Sequence, residues 1–156
     1  MKKQLRSFGH AFEGLYTAIR TEAHLRFHLV AGIYVFLFAY LGEFTLTRWA
    51  VLFLTVCAVI ASELINTAIE DLCDLYTTEI RPEIKRIKDI SAAAVLIVAI
   101  AAAIVAVLLF ILTGSLQTAF FKLADKPVWF IPLGFSAVLS VLFVGFAGKK
   151  TKHNKN

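Results

Sequence analysis

Three signatures of nucleotide-handling proteins are missing from this 156-residue chain: a G-x-x-x-x-G-K-[ST] loop, a G-x-G-x-x-G turn, and the paired H-R-D and D-F-G motifs. If the chain binds a nucleotide, it does so without a soluble nucleotide-binding domain. Cysteine is scarce as well. Cys57 and Cys73 stand 16 residues apart on one predicted helix, a rise of about 24 Å that forbids a bond between them within one chain. Neither has metal-ligand neighbours at the usual spacings, and Cys57 reads as a small apolar packing residue. No cleavable signal peptide is expected, because about 26 residues of mixed polarity precede the first apolar block and no small-residue cleavage site follows it.

Apolar residues are what the chain has in abundance. They make up 59% of it, with a mean hydropathy of +0.76, against roughly 45–50% in soluble domains. They come in blocks rather than on faces. The blocks predict spans over residues 27–41, 49–64 (continuing as a polar-faced helix towards Leu75), 90–112 and 128–146, each near the roughly 20 residues a crossing helix needs.

Basic residues are nearly absent from two of the loops. Only Arg48, Lys122 and Lys126 of the 16 fall between spans one and two or three and four. The other 13, including Lys149, Lys150, Lys152 and Lys155 of the tail, share one side. The positive-inside rule makes that side cytoplasmic, with both termini there. Topology and anionic head groups account for the net charge of +5, and no nucleic-acid partner is expected. The outer loop 42–48 is short, bracketed by the interface aromatics Tyr40 and Trp49.

Before the first span, Leu5, Phe8, Phe12, Leu15, Tyr16 and Ile19 recur at spacings of three and four among polar residues. That pattern predicts an amphipathic helix in the interface plane. Thr21-Glu22-Ala23-His24-Leu25-Arg26-Phe27-His28 follows where the chain meets the membrane. His24 and His28 lack a third ligand at a zinc-binding spacing and read as interfacial polar caps.

The second span ends in Glu63-Leu-Ile-Asn66-Thr-Ala-Ile-Glu70-Asp71-Leu-Cys-Asp74. Glu63, Asn66, Glu70 and Asp74 fall within an arc of roughly 80° on one helix, and the first two lie within the lipid's depth. Intramembrane carboxylates are costly and usually functional. Phosphoryl transfer needs carboxylates to hold Mg²⁺, cations for phosphate oxygens and a base near the nucleophile. All three occur between Glu63 and Asp89. The carboxylates are graded in depth: burial penalises the charged form of a deep one such as Glu63, suiting it to accept an alcohol proton, while shallower ones stay ionised for a metal. Asp71, Glu83, Lys85 and Arg86 read as a solvated helix face. Ser91, opening the alanine-rich third span, either caps polar groups at the site or bonds back to its own helix.

Glu63 to Asp74, then Lys88-Asp89 after thirteen intervening residues and an alanine-rich span, resembles the small prokaryotic diacylglycerol kinase family. Thr21-Glu22 with Arg26-Phe27-His28-Leu29 is most similar to its Gram-positive undecaprenol kinase branch. The resemblance covers roughly residues 5–113. It implies an all-α integral membrane protein of the bacterial plasma membrane, with an N-terminal amphipathic surface helix and three core transmembrane helices, assembled as a homotrimer with sites at subunit contacts. It implies phosphorylation of a membrane lipid alcohol by ATP, with undecaprenol the expected acceptor and diacylglycerol the alternative. Glu63 matches the proton acceptor. Glu22 and Glu70 match the carboxylates that hold Mg²⁺ with ATP, and Asn66 the amide beside them. Asp74, Glu79, Arg81, Lys88 and Asp89 match positions that bind or orient the nucleotide. Lys3 and His10 replace an arginine and a tyrosine of enteric members, so no role is carried over to them.

Compact members of that family end soon after the third span. Residues 1–113 are therefore expected to form the lipid kinase domain. Residues 114–156 are expected to add an outer loop, one extra transmembrane helix and a basic cytoplasmic tail. That addition contains neither a Pro-Ser-Gly-His run nor an Arg-Pro motif with paired histidines, so it does not read as a fused lipid phosphatase. A proton-coupled transporter or channel subunit is the remaining alternative. It would string carboxylates across the full membrane depth or show inverted repeats; here they cluster at one edge, with no visible repeat.

Overall fold

A computed structural model describes residues 2–77, 79 and 81–146; the basic tail at Lys149–Lys155 lies outside them. The described residues are helical throughout, joined by short turns. Helix α1 (Lys2–Thr21) leads through one extended residue, Glu22, into α2 (Ala23–Leu41). After the turn at Gly42–Thr45, α3 (Leu46–Tyr76) runs for 31 residues, about 46 Å at 1.5 Å per residue. That exceeds the roughly 30 Å hydrocarbon core, so one end of α3 must emerge from it. Helix α4 starts with Pro82 in its first turn and runs to Ala106, the proline's missing N–H costing nothing there.

The end of α4 widens into a five-residue turn, Val107–Ile111, closed by Leu112 N–H donating to the Val107 carbonyl. Phe110 on that turn is buried and packs at 4.7 Å between ring centroids against Phe44. Ala39, Leu52 and these two phenylalanines form the core, flanked by Phe36, Trp49, Val56 and Leu116. Trp49, expected as an interface anchor, also stacks on Phe36 at 6.0 Å.

Four helical stretches are long and apolar enough to cross a membrane: Ala23–Leu41, Leu46–Tyr76, Pro82–Ile111 and Pro127–Gly145. These are the four predicted spans, each starting earlier than expected and the second also running on to Tyr76, while the third and fourth end one residue sooner. Between the last two, the stretch read as an outer loop contains an amphipathic helix, α5 (Ser115–Asp125), that buries Ala119 and Leu123. Gly114 makes the turn into it at φ +72°, a left-handed conformation that glycine adopts without steric cost. Helix α5 lies across the α2–α3 turn, where a Cβ on Gly42 would meet the Ser115 carbonyl at 2.7 Å. Lys122 Nζ donates to Glu43 Oε1 at 2.6 Å across the same contact.

Helix α6 (Phe130–Phe146) then returns antiparallel to α2. The Tyr34 hydroxyl pairs with Ser136 Oγ at 2.9 Å and approaches Ser140 Oγ at 3.4 Å. Cys57 is exposed on α3 rather than packed, and Cys73 is the buried one. The most extensive helix–helix interface joins α3 to α4. It carries the polar groups described next.

Candidate active site

Along α3 the side chains of Glu63, Asn66, Glu70 and Asp74 run from the buried middle of the bundle to its exposed end. Glu63 is 7% exposed, Asn66 and Glu70 are half-buried, and Asp74 is exposed. The gradient follows from packing. At Glu63, α2 and α4 still flank α3, whereas by Asp74 the neighbouring helices are ending.

Each polar group in this row finds a partner, as buried polar groups must. Asn66 Nδ2 donates to Glu70 Oε1 at 2.9 Å, and Asn66 Oδ1 accepts from Ser91 Oγ on α4 at 2.6 Å. Of the two readings of Ser91, its role as a cap for the site is the one observed. Lys88 Nζ, one turn earlier on α4, donates to Asp74 Oδ1 at 2.5 Å and lies within electrostatic reach of Glu70. Ser91 and Lys88 are three residues apart, so one face of α4 presents both to α3.

Glu63 has a different partner. His28 Nε2 on α2 sits 3.1 Å from Glu63 Oε1, with the histidine side chain 21% exposed. His28 is thus no interfacial cap; it points across the helix interface at the deepest carboxylate, while His24 remains exposed. His28 also borders a narrow cleft of about 120 Å³ that continues between α2, α3 and α4 past Gly32, Val59 and Ala102.

Glu22 occupies the extended break between α1 and α2, where its N–H donates to the Ala18 carbonyl at 2.8 Å. Its half-buried carboxylate has no hydrogen-bonding partner among the described residues. Arg26, a turn further on, is fully buried and donates through Nη1 to the carbonyls of Ile19 at 2.9 Å and Arg20 at 3.2 Å. It satisfies the carbonyls that end α1, where a cation is favoured.

Glu79 and Arg81 lie in the α3–α4 connection and pair with each other at 3.0 Å, both exposed. Asp89 is turned away from the Lys88–Ser91 face. It meets Lys85 at 3.5 Å and, with Pro82, Arg86 and Ile90, borders a shallow depression of about 450 Å³. His10 pairs with Glu13 on the exposed side of α1 at 3.6 Å. The side chain of Lys3 lies outside the described residues.

Buried carboxylate, amide, hydroxyl and lysine therefore converge at one end of a helical bundle, on the residues of the Glu63–Asp89 motif. Residues 9–110 match the family model described as prokaryotic diacylglycerol kinase. The chain belongs to that family. This kinase is 34% identical over 111 residues to an undecaprenol kinase of Bacillus subtilis, a match covering 71% of the chain and 90% of the relative. It is 41% identical over 100 residues to a diacylglycerol kinase of Synechocystis, covering 64% of the chain and 57% of that relative. No solved structure matches it. Membership makes the protein a lipid kinase, and its four apolar helices make it a multi-pass membrane protein; the transporter alternative is set aside. The matched region stops before α5, so α5 and α6 lie outside the family's part of this kinase.

Among the described residues no three His, Cys, Asp or Glu side chains gather into a ready-made metal cage. Mg²⁺ is usually held by one or two carboxylates together with waters and substrate phosphates. Glu70 offers such a donor, since its Oε1 accepts from Asn66 and its second oxygen has no bond to any described residue.

Proposed function

We propose that this kinase transfers the γ-phosphoryl group of ATP to undecaprenol at the cytoplasmic edge of the bacterial plasma membrane, making undecaprenyl phosphate. The observation that carries the reading is the buried Glu63 carboxylate lying on the same face of α3 as the Ser91–Asn66–Glu70 chain of hydrogen bonds. A lipid alcohol keeps its hydroxyl near the hydrocarbon boundary, whereas a nucleotide stays in water. A row of polar groups graded from buried to exposed lets the two meet.

In this reading Glu63 accepts the hydroxyl proton as the alcohol oxygen attacks the γ-phosphorus. The bond from that phosphorus to the bridging oxygen breaks, and the electron pair leaves with ADP. Phosphoryl transfer asks the protein mainly for positioning and charge stabilisation. Glu22 and Glu70 would hold Mg²⁺, which supplies positive charge for the phosphate oxygens when bound. Asn66, fixed on both sides, orients Glu70. Lys88 and Arg81 supply cations for the nucleotide, and Asp74 holds Lys88 in place. Glu79 positions Arg81, and Asp89 completes the nucleotide-binding set from its own face of α4.

Residues 1–113 constitute the catalytic unit in this account, and 114–156 an addition to it. The chain assembles as a homotrimer with both termini cytoplasmic. Support for the assembly comes from the resemblance of residues 9–110 to the family.

Undecaprenol is favoured over diacylglycerol by the undecaprenol kinase relative, which the match covers nearly end to end. Diacylglycerol is the second reading, favoured by the Synechocystis relative. Purified kinase given Mg²⁺, labelled ATP and both alcohols in mixed micelles separates them. The label is expected in undecaprenyl phosphate, and its accumulation in phosphatidic acid would replace the first reading with the second.

A further inference from the structure

We infer that His28 is a positioning residue for Glu63. The inference rests on the reading of Glu63 as the proton acceptor. It starts from the 3.1 Å contact between His28 Nε2 and Glu63 Oε1 across the α2–α3 interface. A carboxylate oxygen and an unprotonated imidazole nitrogen both only accept hydrogen bonds, so a contact of that length requires a proton between them. With Glu63 ionised and ready to act, the proton belongs to Nε2, and the two groups form a polar contact at 3.1 Å.

That contact has a geometric consequence. A glutamate side chain has three rotatable bonds, and a half-made site leaves its carboxylate free to turn. Glu63 has no other polar side-chain partner among the described residues. Asn66, the next polar group on its face, is already held by Glu70 and Ser91. His28 alone therefore fixes the plane of the carboxylate. With Oε1 occupied, Oε2 is the oxygen left with its lone pairs for the alcohol.

His28 is itself held. Its ring meets Phe27 edge-on at 5.5 Å between centroids. Two residues before it, Arg26 anchors α2 to the last carbonyls of α1 and to the carbonyl of Val144 in α6. The helix that carries His28 is thus tied at the level of the site, and its rotation about its own axis is set there.

His28 also borders the cleft between α2, α3 and α4. Its walls at Ala31, Gly32, Val59 and Ala102 are small and apolar. His28 is the polar residue at the site end of that cleft, beside the base.

Glutamine and asparagine at position 28 test the inference, because the glutamine amide nitrogen can occupy the place of Nε2 while the asparagine amide reaches only as far as Nδ1. Initial rates would be measured on the full chain in lipid micelles with Mg²⁺-ATP, using undecaprenol and diacylglycerol separately as acceptors. His28→Gln is expected to keep kcat within about threefold of the parent, and His28→Asn to lower it by about 10- to 100-fold with KM for ATP unchanged, the scale expected when a catalytic group is misplaced by about 1 Å. In the Glu63→Gln background, His28→Asn should cause no further loss, because residues acting as a unit are not additive. Equal rates for the two position-28 variants, or an equal loss in both backgrounds, would overturn the inference. The two levels separate cleanly: Glu63→Gln with full activity removes the proton-acceptor reading, whereas an inactive Glu63→Gln beside a fully active His28→Asn overturns the positioning assignment alone.

Discussion

Arg26 Nη2 donates to the carbonyl of Val144 at 3.2 Å, joining residues 118 positions apart. One guanidinium thereby ties the end of α1 to the end of α6 through α2, with no solvent exposure. Helix α6 is an addition to the family's matched region, yet it docks where α2 approaches the site. Its role in this structure is to hold α2 from the side opposite α3, through Arg26 at one end and Tyr34 in the middle.

Arg26→Gln should therefore destabilise the whole bundle. Hydrogen bonds from a charged donor are worth about 1.5–3 kcal/mol each, and glutamine cannot replace three of them. A loss on the order of 3 kcal/mol is expected, read as a lower thermal midpoint in detergent. Truncation before Pro127 should lower the midpoint by less, because it removes the Val144 acceptor, the Tyr34–serine contacts and the packing of α6 on α2 but leaves both α1 carbonyls bonded to Arg26. A truncated chain less stable than Arg26→Gln would contradict that ordering.

Ser91→Ala leaves Asn66 Oδ1 without its donor from α4. Asn66 can then turn away from Glu70, and Glu70 loses its orientation. KM for Mg²⁺-ATP should rise about fivefold, matching the lower end, about 1 kcal/mol, of what an orphaned buried acceptor costs, with a smaller change in kcat. Titrating Mg²⁺-ATP at saturating alcohol measures it.

The contact between Gly42 and α5 predicts a contrast between glycines. Gly42→Ala drives a methyl to 2.7 Å from the Ser115 carbonyl and 3.0 Å from that of Phe38, and should cost about 1–3 kcal/mol as other overpacked sites do. Gly9→Ala, within α1 and with nothing within 4 Å of the new methyl, should instead stabilise α1 by up to about 1 kcal/mol. Thermal midpoints of the two variants should move in opposite directions.

At the same end of the bundle, the hydrogen bond from Lys122, reinforced by its charge, holds the Glu43 carboxyl below its ordinary value. A group whose folded pKa is depressed adds stability above its unfolded pKa, and that increment disappears as pH falls through the folded value. The pair is exposed, so the increment is small. Lys122→Met should lower the midpoint slightly at neutral pH, and the difference from the parent should vanish once Glu43 is protonated. Midpoints measured from pH 7 downward check the sign.

The four spans and the Glu63–Asp74 row were legible in the sequence because both rest on periodicity within single helices. Contacts between helices were not. His28 lies on α2, which is apolar on nearly every side, so no polar face reveals which way its side chains point. The sole hint was a histidine just inside an apolar run, a position where a ring nitrogen needs a partner. Arg26 was hidden for a related reason: its partners are backbone carbonyls, which carry no residue identity. Helix α5 was read as a loop since 11 residues are too few to span, although Leu116, Ala119, Phe120 and Leu123 recur at helical spacing. Glu79, Arg81 and Asp89 were singled out together, but they occupy the α3–α4 connection and a separate face of α4.

In the proposed reaction Glu63 activates a polyprenol for attack on ATP. This is tested most directly by following label from γ-labelled ATP into lipid, with undecaprenol and diacylglycerol competing at equal concentration and the parent compared with Glu63→Gln. The account predicts label chiefly in undecaprenyl phosphate for the parent and a loss of at least about a hundredfold in Glu63→Gln, the contribution of a positioned general base, with thermal stability retained. Label chiefly in phosphatidic acid would contradict the choice of alcohol, and undiminished transfer by Glu63→Gln would contradict the role of Glu63.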